Sequence, residues 1–293
     1  MKPAPFEYFR PQSLDEALVL LAEHGGDAKP LAGGQSLIPA MNFRLATPSV
    51  LVDLNGLGEL NYIRDESGDV RIGAMTRQRV VERSTVVSDR VPLIAETMPH
   101  IAHPAIRTRG TIGGSLAHAD PAAELPAVML ALNASFMVSS QAGTREVPAE
   151  EFFVSLFSTA VQAGELLTEV RIPPPQKRSG FAFQEISRRH GDFALVGVAA
   201  TVRLEEDGTC GATRIALLSV GDRPMLAEQA AKSLAGERPS AESIRAAADA
   251  AATRDIDPSS DIHASARYRR QLANVLTRRV LERAFERARV GQD

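Results

Sequence analysis

LAGGQSLIPAMNFRLATP, residues 31–48, places a Gly-Gly pair between a short apolar run and an amphipathic run. The arrangement returns in RGTIGGSLAHADPAAELP, residues 109–126. Because glycine has no Cβ, successive backbone N–H groups in such a loop can point at one place and bind phosphate. A lone Gly-Gly pair is more often an ordinary tight turn. Two such loops, with Ser36 and Ser115 as further donors, predict one diphosphate held between two units, as in a dinucleotide cofactor.

Length and composition restrict the class of protein. The chain has 293 residues, 44% hydrophobic and 24% charged, with a formal net charge of −3, which indicates a globular protein of two or three packed units. No basic excess favours nucleic acid as a partner. The single cysteine, Cys210, excludes an internal disulfide and a multi-cysteine metal site. The absence of a long apolar run predicts a cytoplasmic protein without a membrane span.

Local patterns predict an α+β fold for the first half of the chain. Ser13 with Glu16 fits a capping box that opens a helix ending before Gly25. Short strands are predicted at residues 30–32 and 50–55, and alternation predicts another within GDVRIGAMT, residues 68–76. Thr76 and Ser88 are predicted N-caps of the helices that follow. Residues 122–133 predict a further helix, and ASFMVSS and LLTEVRIP predict two more strands.

The proline-rich stretch PPPQKRSG, residues 173–180, predicts the clearest boundary, since prolines end both helix and sheet. Three strand-like runs follow and predict an antiparallel meander. Helices are then predicted at residues 225–235, 240–253 and 264–288. We therefore expect three units, at residues 1–57, 58–176 and 177–293.

Two other patterns resemble known binding motifs, but each lacks a residue that its motif requires. GLGELN, residues 56–61, imitates the dinucleotide-binding fingerprint, but Asn61 replaces its third glycine and YIRD predicts a strand where that fold needs a helix. His118 and Asp120 resemble a metal-binding pair but lack a third ligand nearby. We expect His118 and Asp120 to belong to the structure of the loop.

The two glycine loops, in this order and spacing, resemble those of the FAD-binding medium subunits of molybdenum hydroxylases. That group includes the carbon monoxide dehydrogenase flavoprotein and the flavin domain of xanthine dehydrogenase. AGGQSLIPAMNFRLATP and TIGGSLAHADPAAELPAVMLAL carry the resemblance, and QEISRRHGDFALVG and IHASARYRRQLANVLTRRVLERA support it. The resemblance covers essentially the whole chain. It implies a two-subdomain PCMH-type FAD-binding fold followed by a C-terminal domain of antiparallel sheet plus helices.

The resemblance also implies which residues contact FAD. The residues expected around its pyrophosphate are Leu31, Ala32, Gly33, Gly34, Gln35, Ser36, Leu37, Ile38, Thr111, Ile112, Gly113, Gly114 and Ser115. Glu124 matches an acid near the FAD sugar region, and Ile101, Leu167 and Phe193 match contacts of the flavin. Gln184 lies near a position where some members have lysine, and Ser115 stands where asparagine is commoner. From the residues alone, Glu124 could equally be an ordinary acid at a helix start, and Phe193 a core residue.

The implied function is electron transfer within a heterotrimer. FAD would receive electrons from [2Fe-2S] clusters on a small subunit, and these would come from a molybdopterin cofactor on a large subunit. We expect a dimer of such heterotrimers, with no catalytic residue and no metal on this chain. Two alternatives stay open: a self-sufficient flavin or nicotinamide oxidoreductase, and a nucleotide-binding regulatory module.

Overall fold

The computed structural model describes residues 1–290. Its first unit contains a three-stranded parallel sheet in the order β1-β3-β2. The strands are β1 (Glu7–Phe9), β2 (Ala28–Leu31) and β3 (Val50–Asp53), and the helices are α1 (Leu14–His24) and α2 (Leu37–Asn42). The apolar face of α1 packs on this sheet to form the first hydrophobic core.

The predicted ends of α1 are confirmed. The Ser13 hydroxyl accepts a hydrogen bond from the Glu16 N–H at 3.2 Å, and Gly25 ends the helix with a φ of 52°. The reciprocal half of the capping box is shifted by one residue, since the Glu16 carboxylate accepts from the Gln12 N–H at 2.7 Å. Both ends therefore follow from local sequence.

The second unit is built on a five-stranded antiparallel sheet in the order β4-β5-β10-β6-β7, with a separate hairpin, β8-β9. Its strands are β4 (Ile63–Glu66), β5 (Asp69–Gly73), β6 (Ser135–Ser140), β7 (Gly143–Pro148), β8 (Phe153–Ser155), β9 (Ser158–Thr159) and β10 (Leu166–Ile172). Its helices are α3 (Gln78–Arg83), α4 (Thr85–Arg90), α5 (Pro92–Thr97), α6 (Pro104–Arg107), α7 (Ile112–His118), α8 (Glu124–Ala131) and α9 (Ala149–Phe152).

The predicted N-caps Thr76 and Ser88 are wrong. Thr76 is fully buried, and its hydroxyl donates to the Tyr62 carbonyl at 2.9 Å, so it does not cap a helix. Ser88 lies inside α4, whose N-cap is Ser84. The Ser88 hydroxyl donates to the Thr85 carbonyl at 2.9 Å, within the helix, whereas the partner of Thr76 is set by a tertiary contact.

The third unit confirms the predicted meander. Four antiparallel strands lie in the order β11-β12-β13-β14, and a long C-terminal helix packs across the first two. The strands are β11 (Ser179–Ser187), β12 (Ala194–Leu204), β13 (Cys210–Leu218) and β14 (Met225–Leu226), and the helices are α10 (Glu228–Leu234), α11 (Ala241–Ala250) and α12 (Ala266–Val290). A Cβ at Gly180 would overlap the backbone of α12, which explains a glycine at this close crossing.

Strand β11 joins the second and third units, because side chains alternate between its two faces. Phe183 belongs to the core of the second unit, whereas Ala182 belongs to the core of the third. Glu96 of α5 strengthens this junction by accepting hydrogen bonds from the Phe183 N–H at 3.1 Å and from Arg287 at 2.6 Å. The predicted boundaries at residues 57/58 and 176/177 stay predictions.

Within residues 1–290, no helix combines the length and the apolar character that a membrane span requires.

Candidate functional site

A cavity of about 450 Å³ opens at the carboxyl ends of the parallel strands β2 and β3. Parallel strands direct their carboxyl ends, and the loops that follow, to one edge of the sheet, which is where open sheets of this kind bind ligands. The first glycine loop forms one wall, and Asp53, Asn55 and Arg109 complete the lining. The cavity therefore lies between the first and second units.

The first glycine loop presents a run of unpaired backbone donors. Within residues 1–290, the N–H groups of residues 33–37 have no hydrogen-bond acceptor, whereas the next N–H, of Ile38, donates to the Gly34 carbonyl at 3.1 Å. Gly34 has a φ of 71°, in the left-handed region that glycine tolerates. Ser36 precedes α2 without capping it through its side chain. Three of these residues, Gly33, Gly34 and Gln35, line the cavity, and unpaired backbone donors in such a place can bind an anion.

The second glycine loop is arranged differently. The N–H groups of residues 112–115 are paired: Ile112 with Thr76 O, Gly113 with Ala74 O, Gly114 with the Thr111 hydroxyl and Ser115 with Thr111 O. A Cβ at Gly113 would overlap Ala74, so this glycine permits close packing of α7 on the backbone just after β5. The first loop thus carries unpaired N–H groups, whereas those of residues 112–115 are paired within the protein. Whether either loop binds a phosphate stays a prediction.

The two loops lie against each other. A Cβ at Gly33 would overlap the Arg109 carbonyl and lie 2.7 Å from Gly110 Cα, and one at Gly114 would lie 3.5 Å from Ala32 Cβ. The proximity that the repeated motif predicts is therefore present. Gly33 and Gly114 therefore allow the two loops to approach each other closely.

Polar side chains that the sequence analysis did not identify hold this junction. Arg77 donates to the Arg109 carbonyl and to Asn55 Oδ1, the latter at 2.6 Å. Asn55 in turn donates to the Ala32 carbonyl at 3.0 Å. Asp53 and Asn55 directly follow the buried run of β3. Their position at the end of a parallel strand is the signal that could have found them.

The charges around the cavity are partly balanced. Burial raises the pKa of Asp53, but hydrogen bonds from Tyr8, at 2.5 Å, and from Asn55 outweigh it, so its pKa lies below the ordinary value. Burial, together with the charge of Arg109, lowers the pKa of Arg77. Arg109 is exposed and lines the cavity, where its guanidinium can meet an anion.

The remaining predicted contacts lie in the second and third units. Ile101 and Leu167 are 8% and 4% exposed and belong to the core of the second unit. Phe193 is 66% exposed, which excludes a core role, and lines a second cavity of about 320 Å³ with Asp120 and Arg269. Whether these residues contact a cofactor stays a prediction.

Glu124 is the most perturbed acid near the loops. It opens α8, is 7% exposed, and has its pKa raised to about 8 by burial and by the charge of Glu185. The strand alternation in β11 puts Glu185 on the face of Phe183, toward Glu124, and Gln184 on the opposite face. The neighbour of the predicted residue therefore faces the site, and counting the alternation along FAFQEIS is the signal that could have found it.

His118 is the last residue of α7, not a loop residue as the sequence analysis expected. Its ring lies 5.0 Å from that of Phe157, and burial lowers its pKa. Among residues 1–290, no group of three or more His, Cys, Asp or Glu side chains is arranged to hold a metal ion. The imitation fingerprint at residues 56–61 forms short 3-10 turns that lead into β4, so the helix of the dinucleotide-binding fold is not formed there.

Comparison with known families decides the assignment. Residues 4–175 match the profile of the FAD binding domain in molybdopterin dehydrogenase, and residues 181–284 match that of the CO dehydrogenase flavoprotein C-terminal domain. The chain belongs to the family of FAD-binding medium subunits of molybdenum hydroxylases. These matches confirm the resemblance identified in the sequence. They also confirm the α+β fold, in which an FAD-binding region is followed by a C-terminal domain.

Three members of this family are similar over nearly the whole chain. The 6-hydroxypseudooxynicotine dehydrogenase complex subunit alpha of Paenarthrobacter nicotinovorans is 45% identical, covering 99% of this chain and 97% of the relative. The caffeine dehydrogenase subunit beta of a Pseudomonas species is 41% identical, covering 98% and 97%. A structure of carbon monoxide dehydrogenase from Hydrogenophaga pseudoflava that lacks the Mo-pyranopterin moiety superimposes with a TM-score of 0.95 at 40% identity, covering 98% and 99%.

Proposed function

We propose that this medium subunit holds one FAD with its pyrophosphate against the first glycine loop. The observation that carries this proposal is the run of five N–H groups, residues 33–37, without an acceptor inside residues 1–290. A diphosphate offers several charged acceptor oxygens, so unpaired N–H groups and the nearby Arg109 match its chemistry. Gly33 lets this loop lie against the backbone of residues 109–110, and the φ of 71° at Gly34 suits a glycine.

We assign the other predicted contacts to the same cofactor as part of this proposal. Thr111, Ile112, Gly113 and Gly114 would support the first loop by packing, and the Ser115 hydroxyl would add a donor. Glu124 would face the sugar region, and Ile101, Leu167 and Phe193 would provide apolar surface for the flavin. The alternation of β11 does not favour a cofactor contact of Gln184, because Glu185 and not Gln184 lies on the face toward Glu124.

FAD, when bound, supplies the capacity to accept electrons singly and to release them in pairs. The work of this chain is to bind and orient the cofactor. The glycine loops hold its diphosphate, Arg77 and Asn55 keep the two loops together, and the apolar core residues exclude water.

We infer that the electrons come from [2Fe-2S] clusters on a small subunit, and reach them from a molybdenum cofactor on a large subunit. Relatives named as complex subunits and medium chains support membership of such an assembly. The single cysteine of the chain, Cys210, is buried, so the thiolates of a cluster would come from other chains. A dimer of heterotrimers and a cytoplasmic location are part of the proposal and rest on the sequence-based expectations.

The substrate is proposed to be selected by the large subunit. The relatives carry names of different substrates, a nicotine derivative, caffeine and carbon monoxide, although each is about as similar to this chain as the others. The sequence of a subunit whose role is electron transfer does not need to vary with the substrate of the complex.

Release of the cofactor tests the proposal. Denaturing the purified holoprotein should release FAD in a one-to-one ratio to the chain; recovery of FMN, or no binding after reconstitution with FAD, would contradict it. The isolated chain with FAD should oxidise no organic substrate, whereas a self-sufficient oxidoreductase would. A regulatory module would bind a nucleotide without the absorption spectrum of a flavin.

A further inference from the structure

The first glycine loop belongs to a strand-helix-strand unit. Strand β2 leads into the loop, α2 follows it, and the chain returns as β3, which lies beside β2 and runs parallel to it. The last residue of β3 is Asp53, twenty residues after Gly33. In the βαβ unit of dinucleotide-binding proteins, the loop after the first strand holds the diphosphate and an acid about 20 residues further on binds a ribose hydroxyl. Asp53 occupies the position of that acid.

Asp53 and the glycine loop line the same cavity. Side chains alternate along β3, so Asp53 lies on the face opposite to Val52, which packs in the core beneath α1. The cavity of about 450 Å³ is lined by Asp53 together with residues 33–35. Asn55 connects the two, since its side-chain amide donates to the Ala32 carbonyl at 3.0 Å and to Asp53 Oδ1 at 2.5 Å. A ligand on the loop therefore lies next to the carboxylate.

The hydrogen bonds of Asp53 leave room for one more donor. Its Oδ1 accepts from the N–H and the side-chain amide of Asn55, and its Oδ2 accepts from the Tyr8 hydroxyl. These three donors are neutral, and a carboxylate can accept about four hydrogen bonds. Because Asp53 would repel a phosphate, the group that fits it is a donor such as a hydroxyl. The unpaired N–H groups of the loop and Arg109 require acceptors instead.

The lining also offers apolar surface. Tyr8 is 52% exposed although its hydroxyl is fixed on Asp53, and its ring lines the cavity. Ile38 and Pro39 of α2 line the same cavity. An aromatic ring with aliphatic side chains in one cavity suits a flat, weakly polar group. The cavity thus matches a ligand that joins a diphosphate, a sugar with free hydroxyls and a planar base.

We propose that Asp53 binds a ribose hydroxyl of the adenosine half of FAD, with the Tyr8 ring beside the base. The inference rests on the proposed FAD site and extends it, because it assigns the nucleoside half of the cofactor to the first unit. It leaves the flavin half to the contacts expected in the second and third units. The carboxylate also disfavours a nucleotide that carries a further phosphate on this ribose, since two negative charges would then meet.

Competition against FAD on the apoprotein of the full chain tests this assignment. ADP, 2′-deoxy-ADP, 3′-deoxy-ADP, FMN and inorganic pyrophosphate are the probes. We expect ADP to displace FAD, and at least one deoxy analogue to bind about 10-fold to 100-fold more weakly, as for the loss of a hydrogen bond to a charged group. Asp53→Asn should weaken ADP by a similar factor and leave that deoxy analogue and pyrophosphate nearly unchanged.

Asp207→Asn is the matched control. Asp207 lies in the third unit and, like Asp53, accepts a hydrogen bond from the N–H two residues further on, that of Thr209 at 2.9 Å. This variant should bind every probe as the parent does. A purely structural role of Asp53 in supporting the loop would weaken pyrophosphate as much as ADP, and that outcome would overturn the proposal.

Two further outcomes would also overturn it. Equal affinity of the parent protein for ADP and both deoxy analogues excludes the ribose contact, and this comparison does not depend on whether a variant folds. If Asp53→Asn weakens FMN as much as FAD, the carboxylate binds the ribityl chain of the flavin half instead. Failure of FAD to bind, with the expected pattern for ADP, would refute the proposed cofactor and leave the nucleoside site in place.

Discussion

Replacing Gly33 by alanine should separate the two glycine loops. The added methyl would overlap the Arg109 carbonyl and lie 2.7 Å from Gly110 Cα, well inside ordinary van der Waals contact at 3.4–4 Å. Both neighbours are backbone atoms, so no side chain can rotate away. Gly33 is not among the residues with positive φ, so alanine adds no backbone strain. The close approach is therefore the single cause of any effect.

The size of the effect follows from the overlap. Relieving it requires a separation of roughly 1 Å, and overpacking of this kind costs about 1–3 kcal/mol of stability. If the displaced loop loses one hydrogen bond to a charged phosphate, at about 1.5–3 kcal/mol, FAD affinity falls by about 10-fold to 100-fold.

Fluorescence titration of the apoprotein with FAD, with thermal unfolding in parallel, measures both quantities. Gly58→Ala is the matched control, because a Cβ at Gly58 meets no atom within 4 Å and its φ is also not positive. It lies in the imitation fingerprint, so it also tests that alternative. The reasoning is refuted if a folded Gly33→Ala binds FAD as tightly as Gly58→Ala does.

Three further changes should have distinct outcomes. Gly34→Asp places a carboxylate beside the proposed phosphate at a φ of 71° and should abolish FAD retention, whereas Gly58→Asp should keep it, as flavin titration will show. Phe136→Ala should lower the free energy of unfolding by about 3–5 kcal/mol in chemical denaturation, because this fully buried ring contacts two other aromatic rings. Asp261→Asn should lower thermal stability at neutral pH. Burial raises the pKa of Asp261, but hydrogen bonds from two backbone N–H groups and from Arg269 outweigh burial and lower the pKa from 3.8 to about 2. The difference in stability between the parent protein and Asp261→Asn should therefore shrink as the pH falls from 3.8 to about 2. Equal destabilisation at pH 7 and pH 2 would contradict that assignment.

Features that depend on neighbouring residues could be predicted from the sequence. The start of α1 at Ser13, its end at Gly25 and the meander after the prolines all follow from local patterns, and all three are present. The N-cap at Thr76 is wrong because its hydroxyl bonds to Tyr62, fourteen residues away in the chain. Sequence spacing carries no information about such a partner.

The candidate site shows the same division. The repeated Gly-Gly pairs predicted two adjacent loops, and the contact of Gly33 with Gly110 agrees with that. The different use of the two loops could not be predicted, because it depends on Ala74 and Thr76 accepting the N–H groups of the second loop. Likewise, whether Gln184 or Glu185 faces Glu124 depends on which face of β11 packs against the second unit.

The sequence by itself determined the family, the α+β class and the two glycine loops, because glycine placement, capping and alternation act over a few residues. Only the tertiary structure decided which N–H groups remain unpaired, which polar side chains hold the loops together, and that burial raises the pKa of Glu124. Each of these depends on solvent exclusion and on partners far apart in the chain. Tyr8 meets Asp53 only once β1 and β3 have paired, and Arg77 meets Asn55 only once the first two units have packed.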